Sequence, residues 1–129
     1  MIVDASALMS IYASEADAHA FWERIYTSAS KRMSAATYLE AGIVALGRDH
    51  QTGLEIMRAM VEELAIEICD VTAEQARIAQ EAYLRYGKGL HPAGLNYGDC
   101  FVYALAKAKH EPVLCKSAEF GKTDIAVVA

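Results

Sequence analysis

Short apolar runs alternate with longer stretches of helical period along this chain, and the alternation predicts an α/β domain. Met1-Ile2-Val3 is continuously apolar and stops at Asp4, so residues 1–4 read as a buried first strand. Residues 5–12 follow as a short helix. From 15 to 28, Ala16, Ala20, Phe21, Ile25 and Tyr26 form an apolar stripe at helical spacing. A weak second strand at 32–35 leads to a helix at 37–46. A longer helix at 49–64 carries Leu54, Met57, Val61 and Leu64 on one face. Residues 66–69 read as a third strand, and Thr72-Ala73-Glu74-Gln75 as the capped start of a helix reaching about Tyr86. The stretch 86–95 holds three glycines and a proline and reads as a loop. A helix at 97–109, a fourth strand at 112–116 and a short fifth at 125–128 complete the chain. Strands separated by helices imply three layers, α/β/α, around a mainly parallel sheet of four to five strands.

The totals narrow the function classes. A length of 129 residues fits one domain that buries its own core without disulfides or a structural metal. The 54% hydrophobic content is high, and either a subunit interface or the abundance of Ala accounts for it. No basic leader precedes the first strand, and the uncharged runs fall short of the roughly 20 residues a membrane span needs. Cys69, Cys100 and Cys115 are odd in number and widely spaced, which indicates neither a zinc site nor a disulfide framework. A reducing cytoplasm is the expected compartment. The net charge of -5 argues against a protein that coats nucleic acid through phosphate contacts alone. It is compatible with an enzyme whose acids hold a divalent cation, because the cation inverts the local sign.

The acids recur where secondary structure begins or ends. Asp4 closes the first strand, and in open parallel sheets that edge binds ligands. An N-cap is the competing account of Asp4, with Ser6 either a donor to its carboxylate or a residue of the first turn. Glu40 lies in a helix after the second strand, yet Thr37-Tyr38-Leu39-Glu40 also matches a capping box. Asp99 follows a possible N-cap at Asn96 and abuts Cys100 and Phe101, where an unpaired carboxylate is costly. Glu119 and Asp124 follow the fourth strand, and a solvated loop acid is the simpler account of Asp124. In a parallel sheet Asp4, Glu40, Asp99 and Glu119 converge on one edge, where their repulsion calls for a cation or a proton. Mg²⁺ or Mn²⁺ suits an all-oxygen set, and the absence of adjoining His argues against zinc.

The chain resembles the PIN-domain family, and within it the VapC-type toxins of bacterial toxin–antitoxin pairs. The likeness is carried by Met-Ile-Val-Asp-Ala-Ser-Ala-Leu at the start, Ser34-Ala35-Ala36-Thr37 with Glu40, and Leu95-Asn96-Tyr97-Gly98-Asp99-Cys100. Val113-Leu114-Cys115-Lys116, Glu119-Phe120 and Thr123-Asp124-Ile125 complete it. The resemblance implies a metal-dependent endoribonuclease silenced by a cognate antitoxin, and a homodimer. It maps the family's metal-binding acids onto Asp4, Glu40 and Asp99, with Asp4 and Asp99 anchoring Mg²⁺ directly. The fourth family acid is usually Asp. Glu119, after Ala118, stands in its place here, with Asp124 behind it. Ser6 and Ser34 become supporting polar residues.

Arg85, Lys88, His91, Lys116 and Lys122 fall in or near loops that could flank the site and hold an RNA backbone. Ordinary solvated side chains are the alternative for each. Two rival functions remain at this level: a phosphoacceptor domain using Asp4, and a non-catalytic binding domain whose acidic pocket receives a partner's Arg or Lys. The helix bearing Phe21 and Trp22 and the one spanning 54–64 are the candidate dimer faces.

Overall fold

A computed structural model describes residues 1–128. Four parallel strands, β1 (Ile2–Val3), β2 (Arg32–Ser34), β3 (Glu67–Cys69) and β4 (Val113–Leu114), lie in the order β3-β2-β1-β4. The helices are α1 (Ala5–Tyr12), α2 (Ala18–Thr27), α3 (Ala35–Glu63), α4 (Ala73–Tyr86) and α5 (Tyr97–Lys109). A single 3₁₀ turn spans Phe120–Lys122. The expected fifth strand is reduced to one parallel bridge, Val127 to Val113. Two backbone bonds of 2.9 Å hold it there.

Side-chain alternation along β1 and β4 builds the three layers. Val3 and Leu114 face the α1–α3 side, with Leu8, Met33, Met57 and Leu64. Ile2 and Val113 face the α4–α5 side, with Leu95, Leu105 and Phe120. Strands buried on both faces need no polar positions, which explains the uninterrupted apolar run at residues 1–3. From β1 the chain steps to β2 and β3 on one side, then returns to place β4 on the other. The reversal makes the carboxyl end of β1 a topological switch point, where two neighbouring connections diverge and leave a crevice.

Three expected elements are corrected. The helix expected from residue 37 begins at Ala35, with Ser34 as N-cap accepting from the Ala36 amide at 3.2 Å. Thr37 is therefore not a cap, and its buried hydroxyl oxygen has no partner among the described residues. The break foreseen between the two helices occurs inside α3, at Asp49 and His50 (φ 55). The helix expected from residue 15 starts at Ala18, because Asp17 is drawn into bonds with Ser10 and Lys116.

Both expected dimer faces are partly engaged in the core, and Ile56 on the second of them stays exposed. Phe21 and Trp22 lie partly buried against the core, and Met57, Val61 and Leu64 are inside it. Exposed large apolar side chains sit also on the first half of α3 (Leu39, Ile43, Leu46) and around α4 and α5 (Tyr83, Leu84, Tyr97). Among the described residues, no helix is long and apolar enough to cross a membrane.

Candidate functional site

Asp4 leaves the last hydrogen-bonded position of β1, its amide donating to Leu114 O at 2.9 Å, and immediately caps α1. Its Oδ2 accepts from the Ser6 amide at 3.0 Å and from the Ser6 hydroxyl. The same hydroxyl oxygen accepts from the Lys116 amide at 2.9 Å. Ser6 thus ties the ends of β1 and β4 together and fixes the Asp4 carboxylate at the crevice. Asp4 is only 6% exposed. Burial pushes its carboxyl above the ordinary range, the Ser6 bonds hold it down, and the charge of Glu119 pushes it up again.

Asp99 occupies the third position of α5 in a reciprocal capping box. Its Oδ2 accepts from the Asn96 amide and its own amide donates to Asn96 Oδ1, each at 2.9 Å. The cap explains why an acid can stand beside the buried Cys100. Burial nevertheless raises the Asp99 carboxyl to about 6, against the opposing Asn96 bond and with the charges of Asp4, Glu119 and Glu40 adding to the rise. Glu40 comes from the second turn of α3. Its carboxyl is raised by burial and by the charge of Asp4. Glu119 leads into the 3₁₀ turn that Phe120, fully buried, anchors in the core.

Asp99 thus lies within electrostatic reach of Asp4, Glu40 and Glu119, and Asp4 within reach of Glu40 and Glu119, although the four come from separate segments. Cys115, just past β4, registers the same field: burial first, then Asp4, Glu119 and Asp99, lift its thiol to about 11. A cleft of about 460 Å³ opens beside them, lined by Asp99, Glu119, Asn96, Gly94, Lys88 and Lys122 among others. One carboxylate oxygen, Glu119 Oε2, is buried without any hydrogen-bond partner among the described residues. Buried acceptors are normally satisfied, so this oxygen is open to a donor or a cation from outside the described residues. The donor set is all carboxylate oxygen and suits a hard divalent ion. Among the described residues, no three acidic, histidine or cysteine side chains are close enough to ligate one ion together.

The basic candidates divide. Lys88 and Lys122 line the cleft. Lys116 bonds instead to Glu15 and, at 3.5 Å, to Asp17. Arg85 bonds to Tyr86 Oη at 2.9 Å, stacks over that ring and approaches Asp124. His91 Nδ1 accepts from the Ala93 amide at 3.0 Å, and its ring meets Tyr86 edge-on, so it closes the 86–95 loop. Asp124 is exposed, as expected of a loop acid, but it is also tied down: Tyr103 Oη and Lys107 Nζ donate to it at 2.6 Å. Sequence reasoning passed over Asn96 and Gly94 as walls of the cleft. The capping signal at Asn96 was visible, but its nearness to Glu119 depends on how two distant loops meet.

The chain is a parallel α/β/α domain with acidic side chains gathered at the crevice of its switch point. The PIN-domain profile matches residues 1–125, and the chain belongs to the PIN-domain family. Its sequence relatives fall in the VapC branch. Ribonuclease VapC30 of Mycobacterium tuberculosis is 42% identical over 129 residues, covering 100% of this chain and 98% of the relative. Ribonuclease VapC28 of the same organism is 45% identical over 129 residues, covering 97% of this chain and 95% of the relative. Among solved structures, Mycobacterium tuberculosis VapC20, described as a sarcin-ricin loop cleaving toxin, superposes with a TM-score of 0.80 at 16% identity. The match covers 98% of this chain and 97% of that one. A toxin–antitoxin complex from Klebsiella pneumoniae gives a TM-score of 0.73 at 13% identity, covering 98% and 95%. The solved structures establish the likeness of fold, and the sequence relatives establish the branch.

Proposed function

We propose that this protein is a cytoplasmic VapC-type endoribonuclease toxin that cleaves RNA phosphodiester bonds with Mg²⁺ or Mn²⁺ and is inhibited by a cognate antitoxin. The electrostatic coupling of Asp99 to Asp4, Glu40 and Glu119, with one buried oxygen of Glu119 left unpaired among the described residues, is what supports the reading. Ribonuclease relatives covering nearly the whole chain support it.

Asp4, Asp99, Glu40 and Glu119 would hold the ion, with Asp4 and Asp99 as its direct anchors. When bound, the ion would neutralise the carboxylates, acidify a water and stabilise charge growing on the phosphorus oxygens. The Ser6 hydroxyl and amide orient Asp4. Ser34 caps α3, from which Glu40 projects. Lys88 and Lys122 receive the RNA backbone at the cleft wall. The acids that repel one another in the free protein become its means of binding metal.

The exposed apolar side chains of α3 and of the α4–α5 side provide surface for an antitoxin and for a second copy of the chain. The solved toxin–antitoxin neighbours make an antitoxin partner the natural expectation. The phosphoacceptor alternative gains no support, because Asp4 is enclosed by its bonds to Ser6.

The test is cleavage of RNA by the purified protein with Mg²⁺, Mn²⁺ or EDTA, alongside Asp4→Asn. The wild type cleaves only with the ions. The variant is folded and inactive. Cleavage that persists in EDTA, or in folded Asp4→Asn, would overturn the proposal.

A further inference from the structure

Gly98 occupies the second position of α5, between Tyr97 and Asp99, in an ordinary helical conformation. The positive-φ glycines among the described residues are Gly89 and Gly94. Backbone freedom therefore does not explain a glycine here, and in a helix glycine is the poorest choice after proline. What explains it is the neighbour. A Cβ built at Gly98 falls on Glu40 Oε2, 3.1 Å from the carboxyl carbon and 3.3 Å from Oε1. The Glu40 carboxylate thus rests where a side chain at residue 98 would be. The contact joins α3 to the first turn of α5, next to Asp99.

Glu40 has no hydrogen bond to its carboxylate among the described residues. It is part-exposed, and its carboxylate is flexible at the end of three rotatable bonds. The Asp4 carboxylate accepts two hydrogen bonds from Ser6, and the Asp99 carboxylate accepts one from the Asn96 amide. Position is thus supplied to Glu40 by an absence of atoms at residue 98. The first turn of α5 also presents the positive end of its macrodipole to the carboxylate. A methyl group there would not disturb the core, because the atoms in its way are the far end of a flexible side chain. It would simply turn Glu40 outward.

We propose that Gly98 is a positioning residue: it leaves the space that aims Glu40 at the ion site shared with Asp4 and Asp99. The inference rests on the nuclease reading above, and it concerns only how Glu40 is placed.

The experiment uses Gly98→Ala, Glu40→Ala, Glu40→Asp and the two corresponding double variants. Melting is measured in EDTA, Mn²⁺ affinity by electron paramagnetic resonance, and cleavage of RNA by kcat and KM. Gly98→Ala should melt at or above the wild-type temperature, bind Mn²⁺ about tenfold or more weakly, and lose kcat to a similar degree with KM little changed. In the Glu40→Ala background the alanine at 98 should have no further effect. In the Glu40→Asp background its effect should shrink, because the shorter carboxylate clears the methyl group. A crystal structure of metal-free Gly98→Ala should show Glu40 turned away from α5.

Wild-type Mn²⁺ affinity in Gly98→Ala, an equal loss with or without Glu40, or an unmoved Glu40 carboxylate would overturn the positioning role. A wild type that neither binds Mn²⁺ nor cleaves RNA would overturn the nuclease reading instead, and with it the purpose assigned to Glu40. The crystal structure still reports separately whether residue 98 controls its orientation.

Discussion

Replacing Asp99 with Asn should stabilise the metal-free protein at neutral pH, and the structure specifies how that gain depends on pH. Burial first, with the charges of Asp4, Glu119 and Glu40, lifts the Asp99 carboxyl from an ordinary 3.8 to about 6. The folded protein therefore holds a proton that the unfolded chain releases. Between pH about 4 and about 6 the native state binds more protons, so stability falls as pH rises through that window. Below it the contribution is fully present. At pH 7 it is lost. A rise of about two pH units, at about 1.4 kcal/mol each, sets a ceiling of about 3 kcal/mol. Asp99 keeps contact with solvent, and screening brings this to about 1–2 kcal/mol. Asn retains an oxygen for the Asn96 amide but removes a negative charge from the first turn of α5, which costs about 0.5 kcal/mol. The net expectation is a gain of about 1 kcal/mol at pH 7, a few degrees in melting temperature. It should vanish or reverse near pH 4. Urea unfolding in EDTA at several pH values between 4 and 7.5 measures it, with m-values checked for equality. Added Mg²⁺ should narrow or invert the order, because the ion stabilises the variant less. Parallel pH profiles for the two proteins would refute the electrostatic account of the site.

Three further outcomes follow from the same geometry. Lys88→Ala and Lys122→Ala should each raise KM for RNA with little change in kcat, and reduce the salt dependence by about one counterion, read from cleavage across NaCl concentrations. Asp124→Ala should cost about 1–2 kcal/mol by removing its bonds to Tyr103 and Lys107, and leave cleavage intact. Burial pushes the Asp124 carboxyl up, but those bonds prevail and hold it below its ordinary value, so its contribution is present at neutral pH and is lost as pH falls. Denaturation at pH 7 and pH 3 distinguishes the two states. Phe120→Ala should cost about 3–5 kcal/mol, since the ring is fully buried directly after Glu119, and Phe120→Leu should recover much of that in a thermal melt.

How much of this was legible in the sequence depended on the range of each interaction. The β1–Asp4–α1 unit was readable because strand, cap and helix are contiguous. The local pattern at Thr37–Glu40 misled for the same reason. Two capping signals overlapped there, and Ser34 prevailed because the strand ends at it. Lys116 looked like a free loop cation, but Glu15 and Asp17 lie about a hundred residues away in sequence and nothing local announces them. The Asp124 anchor and the Gly98 contact with Glu40 are hidden in the same way. Each depends on the meeting of two elements whose order in the sheet a single sequence does not disclose.

The two accounts of Asp4 weighed at the outset are compatible with one geometry. A strand that ends in a helix start places its last residue where unpaired amides point outward, and a carboxylate there is held by them. In an open parallel sheet that place is also the crevice where neighbouring connections diverge. Capping lowers the cost of burying one acid there, and Ser6 extends the support to β4. Asp99 repeats the solution at the start of α5 through its box with Asn96. Glu119 does not: its Oε2 is buried and unbonded among the described residues. The acids thus form two satisfied anchors and an incomplete flank. An orphaned carboxylate oxygen of this kind is open both to a small cation and to an N–H donor from a partner, and RNA cleavage with and without the ion separates the two.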